Sequence, residues 1–120
     1  MNLSIQVVDC AFGIAAAGVH VGLSCRVSQD WVTLAEGRTD TNGGLREWHD
    51  GALSAGTYRL EADLDSYYAD LGIVPFLSRA IVEFRVTDVT ADLLIPLLIT
   101  SNSHLAYRLP SDNSPTHPGL

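Results

Sequence analysis

The sequence predicts an all-β sandwich of about eight short strands with one short helix, and three observations carry that expectation. Apolar and polar residues alternate with a period of two through most of the chain, which turns one face of each segment toward a core. Clusters of Gly, Asn, Asp and Ser punctuate these runs at short, even intervals, as the connections of a sandwich require. Only one stretch, SYYADL, reads as a helix, and Gly72 and Pro75 lie just beyond it to end it. A chain of 120 residues is long enough for one domain with a sizeable core and too short for two. No internal repeat is visible.

The elements follow in order. Leu3 to Val8 reads as the first strand, stopping at Asp9 and the small, Gly-containing stretch AFGIAAAG. Val19 to Val27 (VHVGLSCRV) alternates well, and Trp31 to Ala35 is a short third strand ended by Glu36-Gly37. TDTNGG carries Asn-Gly and Gly-Gly and reads as a turn, with Leu45 to His49 as a candidate strand after it. Ala55-Gly56 turns the chain into Thr57 to Leu64 (TYRLEADL), and the helix is expected over Ser66 to Leu71. Ala80 to Val86 is a strand, and Asp88 to Ala91 turns into Leu93 to Ile99. That run is almost wholly apolar, so both of its faces should be covered. Asn102-Ser103 is a tight turn before the last strand, His104 to Leu109. The folded domain is therefore expected at residues 1–109. Residues 110–120 (PSDNSPTHPGL), rich in Pro, Ser and Gly, read as a flexible tail.

Hydrophobic residues make up 47% of the chain, so it is expected to be globular. The mean hydropathy of +0.16 leaves apolar surface for a subunit partner. The net charge is -7 and the pI about 4.7. An acidic field of this kind argues against nucleic acid and against anionic membranes as partners. No apolar run reaches bilayer-spanning length, and MNLSIQVVDC lacks the basic and apolar regions of a secretory leader, so a cytoplasmic location is expected. Cys10 and Cys25 both lie in apolar runs and read as reduced core thiols. The sequence has no metal-ligand spacing, no phosphate-cradling Gly loop and no Ser/His/Asp order, so neither metal nor cofactor is expected.

Four segments together carry a resemblance that spans residues 3–109. SIQVVDCAFGIAAAGVHVGL resembles S-T-H-V-L-D-x-x-x-G-x-P-A-x-G-V-x-V, and LAEGRTDTNGG resembles L-x-x-G-x-T-(D/N)-x-D-G-R. YRLEADLDSYYADLG is similar to Y-(R/K)-L-x-F-D-x-x-x-Y. FRVTDVTADLLIPLLITSNSHLAYR is similar to F-x-(V/I)-x-D-x-x-x-H-Y-H-V-P-L-L-L-S-P-x-x-Y-S-T-Y-R-G-S. By their order and spacing the chain resembles the transthyretin/5-hydroxyisourate hydrolase family. The resemblance implies a two-sheet sandwich of seven or eight strands. It also implies a homotetramer built as a dimer of dimers, with a small-molecule channel between the dimers.

The departures from the family pattern bear on function. Where the hydrolase has its opening-strand histidine, the arginine of D-G-R and the second histidine of H-Y-H-V-P, this chain has Gln6, Gly44 and Leu94. Of the terminal Y-R-G-S, only Tyr107 and Arg108 are kept. Imidazole moves protons near neutral pH, whereas a glutamine cannot titrate and a leucine can neither titrate nor hydrogen-bond. Orthodox hydrolysis of 5-hydroxyisourate is therefore not expected.

By parity and resemblance, the channel face carries Gln6 and Val8, then Leu94, Pro96 and Leu98, then Leu105, Tyr107 and Leu109. An apolar wall with few polar groups suits an apolar ligand better than a purine breakdown product. It equally suits leucines that simply pack between dimers. Gln6 can bond a ligand carbonyl, and Tyr107 can serve as a general acid or oxyanion donor. Arg108 can hold a carboxylate or form a salt bridge. Arg46, two residues beyond Gly44, would share its face in a continuous strand and replace the missing guanidinium. His104 falls on the face opposite Leu105 and Tyr107, while His20, His49 and His117 have no evident partner. Asp9 and Asp40 read as structural turn residues. Three readings result. One is a repurposed enzyme that cyclises, hydrolyses or adds to an apolar or aromatic intermediate, in the manner of a biosynthetic pathway. The others are a small-molecule carrier and a hydrolase with displaced groups.

Overall fold

Each alternating segment of the sequence becomes a strand, and the strands form two sheets that close on one core. The computed structural model describes residues 1–110; the expected tail lies outside the described residues beyond Pro110. In chain order the strands are β1 (Leu3–Asp9), β2 (Ile14–Ala15), β3 (His20–Val27), β4 (Asp30–Arg38), β5 (Gly44–Leu45) and β6 (Gly56–Asp63). The helix α1 (Leu64–Ala69) is followed by β7 (Arg79–Val86), β8 (Leu93–Ile99), β9 (His104–Ala106) and β10 (Leu109–Pro110). Three of these strands have two residues each, which leaves seven longer ones, as the resemblance implied.

In the first sheet β1 runs parallel to β8 from the pair Leu3 and Leu93 to the pair Asp9 and Ile99. The short strands β2 and β5 flank the other edge of β1, and β9 and β10 pair antiparallel with β8. The second sheet is antiparallel in the order β4-β3-β6-β7. Leu3, Ile5 and Val7 of β1 and Ile95, Leu97 and Ile99 of β8 form the inner face of the first sheet. They share the core with Val21, Leu23, Tyr58, Leu60 and Ala62 of the second.

Five expectations need correction. Glu36-Gly37 does not end the third strand, which runs to Arg38. Gly37 marks a close approach instead, because a Cβ there would stand 2.9 Å from Leu45 Cδ1. The candidate strand Leu45 to His49 ends at Leu45. Beyond it the chain turns, with Glu47 at φ 52°, and side chains take over the edge of β1. Trp48 Nε1 donates to the Leu3 carbonyl at 3.0 Å, and His49 Nε2 accepts from the Leu3 N–H at 3.1 Å. The helix begins at Leu64, earlier than Ser66, since Asp63 ends β6 and caps it by accepting from Ser66 N at 3.1 Å. Cys10 is exposed rather than in the core, and Cys25 is half-buried. The buried place at the end of β1 belongs to Asp9, and Cys10 follows it out of the strand.

The last strand is divided as well. Leu97 pairs with Ala106 and Leu94 with Leu109, so one register continues across the break at residues 107 and 108. Tyr107 N donates to the Pro96 carbonyl at 3.3 Å, and Pro96 has no N–H to return the bond, which weakens the ladder there.

Candidate functional site

The registers fix the outer face of the first sheet in three rows. The first holds Ser4, Leu94 and Leu109. The second holds Gly44, Gln6, Pro96 and Tyr107, and the third Ala15, Val8, Leu98 and Leu105. Sequence parity found most of this set. It missed Ser4 and Ala15, although Ser4 lies two residues before Gln6 and so shares its face by the same rule. Leu94, Leu98, Gln6 and Val8 are half-buried, while Leu105 is 60% exposed, Tyr107 48% and Leu109 40%. One chain alone thus leaves a broad apolar surface with two polar groups near its middle.

Gln6 is held in place. Its Nε2 donates to the Asn42 carbonyl, and the amide lies against Gly43 and Gly44. Gly43 sits at φ +77°, and a Cβ there would meet the Val7 carbonyl at 2.4 Å, so this position admits only glycine. Gly44 is different: a Cβ would stand 3.4 Å from the Asp40 carboxylate and 3.7 Å from Gln6 Oε1, which is ordinary contact. Asp40 fixes the turn by accepting from Asn42 N at 2.8 Å and Gly44 N at 2.9 Å, the structural role expected of it.

Asp9 likewise closes a turn, accepting from Ala11 N and Phe12 N. It is fully buried, and its second oxygen accepts from Tyr67 Oη at 3.0 Å, which ties α1 to the end of β1. Burial first, then Asp9, pushes the Tyr67 phenol well above its ordinary value. Tyr68 beside it is pushed up to about 12 for the same reasons.

Two candidate residues do not join the face. The alternation that would bring Arg46 to the side of Gly44 stops at Leu45, and Arg46 is exposed beyond the strand. Arg108 lines a separate cavity of about 300 Å³ at the sheet edge. Nor does a described histidine join it. His20 lies 3.7 Å from Glu36 on the second sheet, and His104 pairs with Ile99 on the parity opposite Leu105. His49 spends one ring nitrogen on Leu3 N and the other on the Gly51 carbonyl at 2.9 Å. That pairing requires Nδ1 to carry the proton and Nε2 to accept. His117 lies outside the described residues. No group of three potential metal ligands occurs among the described residues, and no helix among them is long and apolar enough to cross a membrane.

The model of the HIUase/transthyretin family matches residues 3–108. The chain belongs to that family. A 5-hydroxyisourate hydrolase of Caulobacter vibrioides is 33% identical over 111 residues, spanning 89% of this chain and 96% of the relative. The solved 5-hydroxyisourate hydrolase of Klebsiella pneumoniae superposes with a TM-score of 0.80 at 30% identity, covering 90% of this chain and 98% of that one. Sea bream transthyretin, solved in complex with thyroxine, gives 0.85 at 25% identity, covering 94% and 98%. Of the positions that the sequence resemblance assigns to the hydrolase site, Arg108 stands apart at the edge cavity, and four remain: Gln6, Gly44, Leu94 and Tyr107. They are neighbours on the outer face of the first sheet.

Proposed function

We propose that this 5-hydroxyisourate-hydrolase-like chain is a repurposed enzyme that holds an apolar or aromatic small molecule on the outer face of its first sheet. One observation carries the reading: on this face Gln6, Gly44 and Leu94 stand where the resemblance has two histidines and an arginine, beside the retained Tyr107. The site is completed in a cytoplasmic homotetramer, a dimer of dimers in which two such faces enclose a channel. Leu94, Pro96, Leu98, Leu105, Leu109 and Val8 supply apolar area, at roughly 25 cal/mol per Å² removed from water. The Gln6 amide, oriented by Asn42, accepts or donates at a ligand carbonyl. Tyr107 donates to charge that develops on oxygen as the substrate cyclises, adds a nucleophile or is hydrolysed. The wall folds the substrate toward its reacting geometry.

A carrier of transthyretin type is the second reading, and the thyroxine complex of sea bream transthyretin favours it. It needs the same face and no turnover.

The test is decay of fresh 5-hydroxyisourate, followed by absorbance, for the native chain and for the triple variant Gln6→His, Gly44→Arg, Leu94→His. The native chain is expected to leave the decay at its spontaneous rate. The triple variant is expected to accelerate it, since a Cβ at Gly44 meets only ordinary contacts and Leu94 is half-buried. Saturable turnover by the native chain would overturn the reading in favour of an orthodox hydrolase.

A further inference from the structure

The cavity that takes Arg108 away from the outer face has a composition of its own. It opens at the edge of the sandwich where the two sheets meet, and its arginines come from different sheets. Arg85 stands near the end of β7, and Arg108 stands between β9 and β10. The chain has seven Lys+Arg residues, all arginine, against 14 acidic ones. In so acidic a protein a guanidinium is expected to find a carboxylate, and Arg59 and Arg79 do, on Glu83 and Glu61. Arg85 and Arg108 form no ion pair with any described residue.

The two carboxylates of the cavity are occupied elsewhere. Asp88 accepts from Thr90 N at 2.9 Å and Thr90 Oγ1 at 2.6 Å, and those bonds hold its carboxyl below the usual range. Asp92 accepts from Asn2 N at 3.0 Å. The rest of the wall is largely apolar, with Met1, Val86, Leu93 and Pro110 among its residues. A guanidinium presents several N–H donors in a planar fork that matches a carboxylate. Two such forks beside an apolar wall, in a volume at the lower end of small-ligand pockets, define an amphipathic guest.

We propose that this cavity is a second small-molecule site, one that takes an organic monocarboxylate with a small apolar body. The carboxylate bridges Arg85 and Arg108, and the body lies against Leu93 and Val86. Asp88 and Asp92 oppose a more highly charged guest, so a dianion such as inorganic phosphate is disfavoured. Because the guest joins a residue of each sheet, its binding stabilises the folded chain. The cavity shares Leu109 with the outer face of the first sheet, but its two arginines lie off that face.

The test is calorimetric titration of the full chain with 3-phenylpropionate, with 3-phenylpropionamide and inorganic phosphate as controls, and a melting curve for each. The acid is expected to bind saturably and raise the melting temperature. The amide and phosphate are each expected to bind at least roughly tenfold more weakly. Arg85→Gln and Arg108→Gln, at exposed positions that leave the core intact, should each weaken the acid by a similar factor. Leu94→Arg on the outer face should leave it unchanged. Absence of binding by the acid, equal binding of amide and acid, or full affinity in both arginine variants would overturn the proposal. So would binding that only Leu94→Arg abolishes, which would place the acid on the outer face. Tighter binding of phosphate than of the acid would overturn the choice of an apolar carboxylate.

Discussion

The two sheets share one core and turn opposite kinds of surface outward. On the second sheet polar pairs lie among the residues that alternate with the core: His20 with Glu36, Arg59 with Glu83, Arg79 with Glu61, and Arg59 4.1 Å above the Trp31 ring. On the first sheet the same alternate positions carry Ser4, Gln6, Val8, Leu94, Pro96, Leu98, Leu105, Tyr107 and Leu109, none of them charged. Leu105, Tyr107 and Leu109 of this face are exposed in the single chain. The same strand geometry therefore yields an outer face with charged pairs or one without charge, according to what occupies every second residue.

The sharpest way to break this comparison is across adjacent residues of β8. Leu97 points into the core at 1% exposure, and Leu98 points outward and is half-buried. Leu97→Ala is expected to cost about 2–5 kcal/mol in urea unfolding. Leu98→Ala should cost about 1 kcal/mol or less at high dilution, yet weaken assembly or ligand binding on the outer face. Equal costs would mean that both faces are core.

A middle-sized effect lies at the helix. Burial would raise the Asp63 carboxyl, but bonds from the Ser66 backbone and hydroxyl, helped by His20, hold it below its ordinary value. Asp63→Ala should cost about 1 kcal/mol of stability. A depressed folded value means that the contribution is present above the unfolded pKa of about 3.9 and is lost as the pH falls through the folded value. The gap between native and variant melting temperatures should therefore close in acid.

The smallest effect belongs to the charged face. Arg59→Ala should cost less than about 1 kcal/mol, and added salt should shrink even that. A larger, salt-independent loss would show that the second sheet's outer face carries more than solvation.

Much of this was legible from residues alone. Alternation set the inner and outer rows of β1 and β8, and Asp9 and Asp40 sit in the turns their positions suggested. What alternation could not give was where a strand stops. Between Leu45 and His49 the pattern continued, but Trp48 and His49 bond the Leu3 backbone with side chains, so Arg46 lost the strand that was to orient it. Gly37 looked like a terminator because its reason, the Leu45 side chain lying across it, comes from eight residues further along the chain. That Arg108 and Arg85 line one cavity was equally hidden, since they come from different sheets.

The central claim is that the outer face of the first sheet binds an apolar small molecule. Its most direct test is a thermal-shift and calorimetric screen of neutral aromatic and polyketide-like compounds against the native chain and Leu94→Arg, with circular dichroism to show that the variant is folded. Saturable binding by at least one compound, lost in folded Leu94→Arg, is the predicted result. Failure of every compound to bind, or binding that the folded variant retains in full, would contradict the account and leave the apolar rows as packing between subunits.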